Sequence, residues 1–465
     1  MIDIWKNSLT YKIVMAINEW FGRLFSNSVL VNFFIKEKDT TMQENSIVVK
    51  FINVIIKFFR KIFHAIKIDK LFEKSIFANP KIWITFVVAL TPFLPTMLVL
   101  LMVLASMASL FLKATIDENF KLRYFKTNTW LLAYIFVIAF CALTSVSREE
   151  SLKIGMLTIA FTLFYFVWIN TVTTKKQMKF YVSVFVVAGT LSALYGLYQY
   201  FFGDIYSQEW LDGNMFEEIK MRVYSTFSNP NVFGEYLLLV IPFSIMLFFN
   251  SKGLLKKLFW LGNVGVLMLA LVLTFSRGCW LGIIFSLFVL AILIDKRLIW
   301  LGVLGLIAAP FVLPESILSR FASIGNMADS STSYRVYIWI GTIAMLKDYF
   351  LSGVGLGTSS FNLVYPLYAY NDIVAPHSHS LYLQLLVEYG FVGFIVFAGI
   401  IYNFYKETII SYIKEKNWII AASIAAITGF LIQSATDYTF YNYRVILVFW
   451  TVLAFGISMT KREEE

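Results

Sequence analysis

Residues 258–294 read LFWLGNVGVLMLALVLTFSRGCWLGIIFSLFVLAILI. Two apolar runs, 258–275 and 279–294, flank a single arginine, Arg277, with almost no loop between them. A membrane-crossing helix needs about 20 mostly apolar residues, and neither run alternates polar with apolar as a barrel strand must. The stretch therefore reads as a helical hairpin through a bilayer. Working outward, further apolar runs fall near 82–112, 128–146, 152–170, 177–202, 232–250, 297–313, 381–403, 417–435 and 444–459. Of the 465 residues, 59% are hydrophobic and 15% charged, with mean hydropathy +0.72. A soluble domain averages about 45–50% apolar and about 25% charged. These values exclude a soluble globular protein, a disordered chain and a coiled coil. The expected class is an all-α polytopic membrane protein.

The net charge is +10, and its placement explains it without nucleic acid, for which no aromatic and basic platform exists in a soluble stretch. The loops 113–126, 171–179, 251–257, 295–297 and 405–416 are rich in Lys and Arg, and they fall on one side if each later run crosses once. The positive-inside rule makes that side cytoplasmic, together with Lys461 and Arg462 at the C-terminal end. For a basic N-terminal segment to lie inside as well, the run at 82–112 must cross twice, turning at Pro92 and Pro95. The total is then about twelve spans; one kinked crossing is the alternative for that run.

Residues 1–80 lack the apolar core and cleavage site of a signal peptide. From Ser46 to Phe77, the residues Lys50, Asn53, Lys57, Lys61, His64 and Lys67 recur at helical spacing, opposite Val49, Ile52, Ile56, Phe59 and Phe63. This predicts a basic amphipathic helix in the membrane interface, with membrane lipids as its partner. A weaker pattern of the same kind runs from Trp5 to Phe34. The expected organisation is an interfacial segment 1–80, transmembrane helices over 81–313, a large extracytoplasmic loop 314–380, and C-terminal transmembrane helices over 381–465.

The chemistry-bearing residues lie in the segments expected outside: 203–231, Ser276–Gly278, 314–380 and Ala435–Tyr443. Arg222 precedes Asn229-Pro230-Asn231, where Asn229 suits a helix N-cap. Arg277 reads either as an interfacial anchor or as an arginine facing a polar cavity between helices. Arg335 lies near the start of an apolar helix expected over 334–348, and the glycine run Gly353–Gly357 reads as a flexible turn admitting a ligand or a neighbouring helix. His377 and His379 open the helix starting at Leu381. An electropositive helix start keeps imidazole neutral, as a general base requires. Asp437 and Arg444 read as an ion pair or as ligand-binding groups, while Asp204, Glu209, Asp212, Glu217 and Glu218 read as solvated. Two cysteines, Cys141 and Cys279, and three histidines provide no zinc-like ligand set, so no metal or other cofactor is expected. Arginines suit a phosphate-bearing anion. A lipid-linked diphosphate would lie at this depth, and a neutral histidine would take the proton of an attacking sugar hydroxyl.

The stretches TFSNPNVFGEYL (226–237), TFSRGCWLG (274–282), GVGLGTSSF (353–361) and PHSHSLYLQLLVEYGFVG (376–393) resemble the O-antigen ligase and polymerase family. The layout matches over roughly 80–460. The resemblance implies a GT-C-like bundle of about twelve helices with one large outer loop. It implies metal-independent transfer of glycan from an undecaprenyl-diphosphate carrier to a glycan, lipid or protein acceptor. By the same resemblance Arg277 and Arg335 bind the diphosphate and His379 is the base. Arg222, His377 and Asp437 complete the expected substrate site. The family commonly has Asn after that histidine, where this chain has Ser380, and His377 remains the other base by residue type. A surface or exopolysaccharide polymerase is favoured over a ligase. A small-anion transporter is the alternative function, and a non-catalytic membrane scaffold the third.

Overall fold

The computed structural model describes residues 47–67, 70, 72, 75–203 and 221–461, all within the second of two units, Met1–Ser46 and Ile47–Glu465. The weaker amphipathic pattern at 5–34, the five acidic residues from Asp204 to Glu218 and Arg462 lie outside the described residues. Among those described, every regular element is helical: α1 Ile47–Ala65, α2 Pro80–Leu90, α3 Thr96–Ile116, α4 Lys126–Thr144, α5 Arg148–Ile169, α6 Lys175–Phe202, α7 Pro230–Phe249, α8 Leu254–Val272, α9 Arg277–Ile294, α10 Leu298–Val312, α11 Glu315–Ala322, α12 Ser330–Tyr349, α13 Thr358–Val364, α14 Leu381–Glu415, α15 Trp418–Gln433 and α16 Tyr443–Ser458. Short 3-10 turns complete the set.

Eight of these helices are long and apolar enough to cross a membrane, and a ninth span results if α10 and α11, bent by 117°, count as one. Three apolar helices are shorter: α2, α15 and α16. The run at 82–112 is two helices, not one. Pro92 and Pro95 sit in the turn between α2 and α3, where a missing N–H and a fixed φ stop a helix, and the two helices pack together. The centre of the bundle is α7, α15 and α16, whose side chains are nearly all buried. By contrast α10 buries none of its residues, as expected of a helix facing lipid.

The bundle has two chemically different ends. At one end Arg123 donates to the last carbonyls of α5 and α16, at Ile169 and Ser458, and Lys461 Nζ donates to Tyr124 O. The Lys- and Arg-rich connections of the later helices alternate onto this end. Here α1 docks on α3. Arg60 donates to the carbonyls of Ala114, Thr115 and Asp117 at 2.9–3.1 Å, satisfying acceptors that the end of a helix leaves open. Phe59 meets Phe111 edge-on. The amphipathic helix expected over 46–77 ends at Ala65, where Lys67 adopts a left-handed φ of +59° and its N–H returns to His64 O.

The opposite end gathers the turns between α2 and α3, α4 and α5, α8 and α9, and α15 and α16. The approach to α7 and the loop 313–380 join them there. The glycine run is a turn that brings its backbone close to a neighbouring element, one of the two roles expected of it. Gly353, Gly355 and Gly357 all have positive φ, and a Cβ on Gly355 would overlap Ser145. Val146 N and Ser145 Oγ donate to Val354 O, and Ser151 Oγ donates to Leu356 O. The loop also enters α14, whose helix is broken at Gly390 (φ +66°). Across this break Val354 N donates to Val387 O and Phe391 N to Phe350 O, each at 2.7 Å.

Helices α9 and α15 meet through Gly282 and Gly429. A Cβ on either would stand 2.6–2.7 Å from the other's carbonyl oxygen, the close backbone approach that small residues allow. Gly429→Val is therefore expected to destabilise the protein by about 1–3 kcal/mol or more. A lowered thermal midpoint in detergent checks this, and an unchanged midpoint would mean that the contact yields.

Candidate active site

The turn between α15 and α16 fixes the start of α14. Leu381 N, the first N–H of α14, donates to Ser434 O (2.9 Å) and Asp437 O (3.0 Å). Ser378 N donates to Gln384 Oε1, and Trp339 Nε1 on α12 donates to His379 O. These bonds hold His379 with φ at +48°, a left-handed conformation that costs a non-glycine residue about 1–3 kcal/mol and concentrates at functional sites. Phe275, Ser225 and Ser228 show the same backbone at neighbouring helix entries.

So placed, His379 Nδ1 lies 3.2 Å from Asp437 Oδ1. Burial pushes the Asp437 carboxyl up, but the His379 hydrogen bond and the Arg335 charge outweigh it and hold the group well below the usual carboxylate range. An ionised carboxylate only accepts, so Nδ1 carries a proton, and in the neutral imidazole this leaves the lone pair on Nε2. This is the tautomer a general base needs. His377 Nδ1 accepts from His379 N at 3.2 Å, and the two rings lie 4.2 Å apart. Burial, with the neighbouring His379, lowers the His377 imidazole to about 3, so it stays neutral. Its ordinary value is 6.5, so the unfolded chain takes up a proton that the folded chain refuses as pH falls from about 6.5 towards 3. The thermal midpoint is expected to fall across that window, and to fall less in His377→Gln. Parallel curves would remove His377 as the cause.

The arginines reach this pair by different routes. Arg335, on α12, donates to Ser331 Oγ at 2.6 Å and places Nη2 3.7 Å from Asp437 Oδ2. Its Nε is buried and has no hydrogen-bond partner among the described residues. Arg222 donates to Thr274 O and to Asn231 Oδ1, both at 2.7 Å, and Asn231 Nδ2 donates to Asp437 Oδ2 at 3.1 Å. A polar chain thus runs Arg222–Asn231–Asp437–His379. Burial and the charges of Arg320 and Arg335 lower Arg222 to about 9, which leaves it protonated at neutral pH. Arg277 is engaged elsewhere. It pairs with Asp329 at 2.7 Å and donates to Ser323, while Arg320 approaches Asp329 at 3.4 Å. Asp329, fully buried, also caps α12 through Thr332 N. Burial raises its carboxyl, the Arg277 bond more than reverses this, and the group is net lowered.

Four expected residues therefore meet directly: His379, His377, Asp437 and Arg335. Arg222 joins through Asn231, and Arg277 stands apart in its own ion cluster. The Asp437–Arg444 pair does not form. Arg444 donates to Pro92 O and Thr226 O and lies 4.4 Å over the Phe227 ring, because its place on the first turn of α16 faces the α2–α3 turn. Sequence reasoning missed Asp329, Arg320, Gln384 and Glu388. The last two are polar residues at i, i+4 within an apolar run, a pattern that marks a functional face. Among the described residues no group of three or more His, Cys, Asp or Glu could hold a metal ion.

The fold and this cluster define a polytopic helical membrane protein with a basic, histidine-containing site at one end of its bundle. Residues 262–398 match the O-antigen ligase family, a stretch from α8 to α14 that holds Arg277, Asp329, Arg335, both histidines and Glu388. No curated protein matches the chain.

Proposed function

We propose that the protein is a membrane glycosyltransferase that moves glycan from an undecaprenyl-diphosphate carrier at the outer face of the cytoplasmic membrane. The observation that carries this is the His379–Asp437 pair beside Arg335, whose buried Nε lacks a partner among the described residues. His379 Nε2 takes the proton of the acceptor hydroxyl, whose oxygen attacks the anomeric carbon. Undecaprenyl diphosphate leaves on the side of Arg335 and Arg222. The product is a surface polysaccharide, and polymerisation is favoured over ligation to a lipid or protein anchor. The three shorter helices complete twelve crossings in this reading, with both termini cytoplasmic, in line with the Lys- and Arg-rich end of the bundle. The transporter reading calls for broken helices lining an ion site. The backbone freed at the Gly390 break is instead bonded to loop residues.

The test is the size profile of carrier-linked and surface glycan in a strain lacking the protein, complemented with wild type or His379→Ala. Single repeat units on the carrier are the expected result for a polymerase. Long chains on the carrier, missing from their anchor, would make it a ligase, and an unchanged profile would sink the glycan reading. Turnover is also expected to persist in excess chelator. Loss that magnesium restores would contradict metal independence.

A further inference from the structure

Beside the histidines lies a cavity of about 340 Å³, within the about 300–1,000 Å³ of small-ligand sites. It opens between α5, the start of α14, the start of α16 and the glycine run. Its charged lining residues among those described are Glu150 and Glu388. Glu388 is almost fully buried. Its Oε1 accepts from Gln384 Nε2 (3.0 Å), Tyr438 OH (3.1 Å) and Gly357 N (3.2 Å), whereas Oε2 has only Tyr438 OH, at 3.2 Å, among the described residues. A carboxyl oxygen with one donor has acceptor capacity left.

We propose that this cavity binds the acceptor sugar, with Glu388 accepting its hydroxyls and Tyr441 covering one ring face; the assignment rests on the transferase reading above. Among the described residues no Lys or Arg lines the cavity to pair with a diphosphate, so the carrier end of the donor belongs with the arginines and not here. The donor's first sugar is covalently joined to that diphosphate and stays with the arginines. The acceptor must approach the base from another direction, and the cavity supplies one. His377 lines it, and its ring lies against that of His379. Tyr438 and Tyr441 stand 5.5 and 5.0 Å from the His377 ring, and Tyr441 is 52% exposed. Tyrosine offers an apolar face with a polar tip, which suits the C–H faces and hydroxyls of a sugar. In the step itself the acceptor O–H gives its proton to His379 Nε2 and the new C1–O bond forms. The C1–O bond to diphosphate breaks, and its electron pair leaves with the carrier.

The experiment uses the purified full chain in liposomes, with lipid-linked glycan extracted from a strain lacking the protein. Glycosidic bonds formed and undecaprenyl diphosphate released are counted separately. Thermal stabilisation by added undecaprenyl diphosphate reports the arginine side. In Glu388→Gln and Tyr441→Ala, bond formation is expected to fall at least about tenfold. Stabilisation by the diphosphate should stay at the wild-type level, and carrier released should exceed bonds formed, water having replaced the acceptor. Because Glu388 also holds Gly357, the half-exposed Tyr441 provides the variant that leaves the fold intact. Bond formation within about twofold of wild type in Tyr441→Ala and Glu388→Gln would overturn the proposal. So would loss of stabilisation by the diphosphate along with transfer, which would assign the cavity to the donor. A wild-type protein that forms no bond would instead remove the transferase reading itself.

Discussion

His379→Ala is expected to lower glycan transfer by about 10²–10⁴-fold, the usual contribution of a positioned general base, while the protein still inserts and purifies as wild type. The side chain is only partly buried and caps no helix, so its loss leaves no hole in the core. Asp437→Asn tests the same unit from behind. The amide can still meet Nδ1, but its oxygen is no longer a full charge, and its N–H₂ favours the wrong imidazole tautomer. Transfer should fall by about 10²-fold or more, with diphosphate binding retained. The two losses should not multiply in the double variant, because a base and its orienting carboxylate act as one group. Wild-type rates in Asp437→Asn would mean that another group orients His379.

Arg277→Ala should have the largest effect on stability. Asp329 is completely buried, and Arg277 is its shorter ion pair, at 2.7 Å against 3.4 Å for Arg320. Removing one partner of a buried pair costs about 3–5 kcal/mol, whereas replacing both with apolar groups is often neutral. The single variant should therefore loosen the segment between α11 and α12 and lose transfer. The double variant Arg277→Met, Asp329→Leu should regain thermal stability and remain at least about tenfold down in transfer if the diphosphate draws the Arg277 guanidinium from its Asp329 cluster, as the family resemblance implies. Full recovery of transfer would reduce Arg277 to a latch that holds the loop.

Much of this was legible in the chain. Apolar length gave the helices, Pro92 and Pro95 the turn between α2 and α3, and the Lys- and Arg-rich loops the end opposite the site. His377 and His379 stood out because they interrupt apolar sequence at a helix start. What the sequence hid were partners. Asp437 lies 58 residues from His379, and Asp329 lies 52 from Arg277, so only the return of α14 against the α15–α16 turn, and of the loop onto α9, reveals the pairing. Reading Asp437 with Arg444 followed proximity in sequence, but the first turn of α16 points those side chains to different neighbours. The glycine run was read as a turn that admits a ligand or a neighbouring helix, and its positive φ values do bring it hard against the α4–α5 turn. Here Ser145 occupies the space that a Cβ on Gly355 would need, and Ile154 the space at Gly357.

The most direct measurement is the reaction itself, with purified wild type and His379→Ala reconstituted with carrier-linked glycan in the presence of chelator. Undecaprenyl diphosphate release and glycosidic bond formation are followed together. The expected result is matched release and bond formation by the wild type and neither above background by His379→Ala. Equal rates for the two proteins would contradict the assignment of His379 as the base, and with it the site described here.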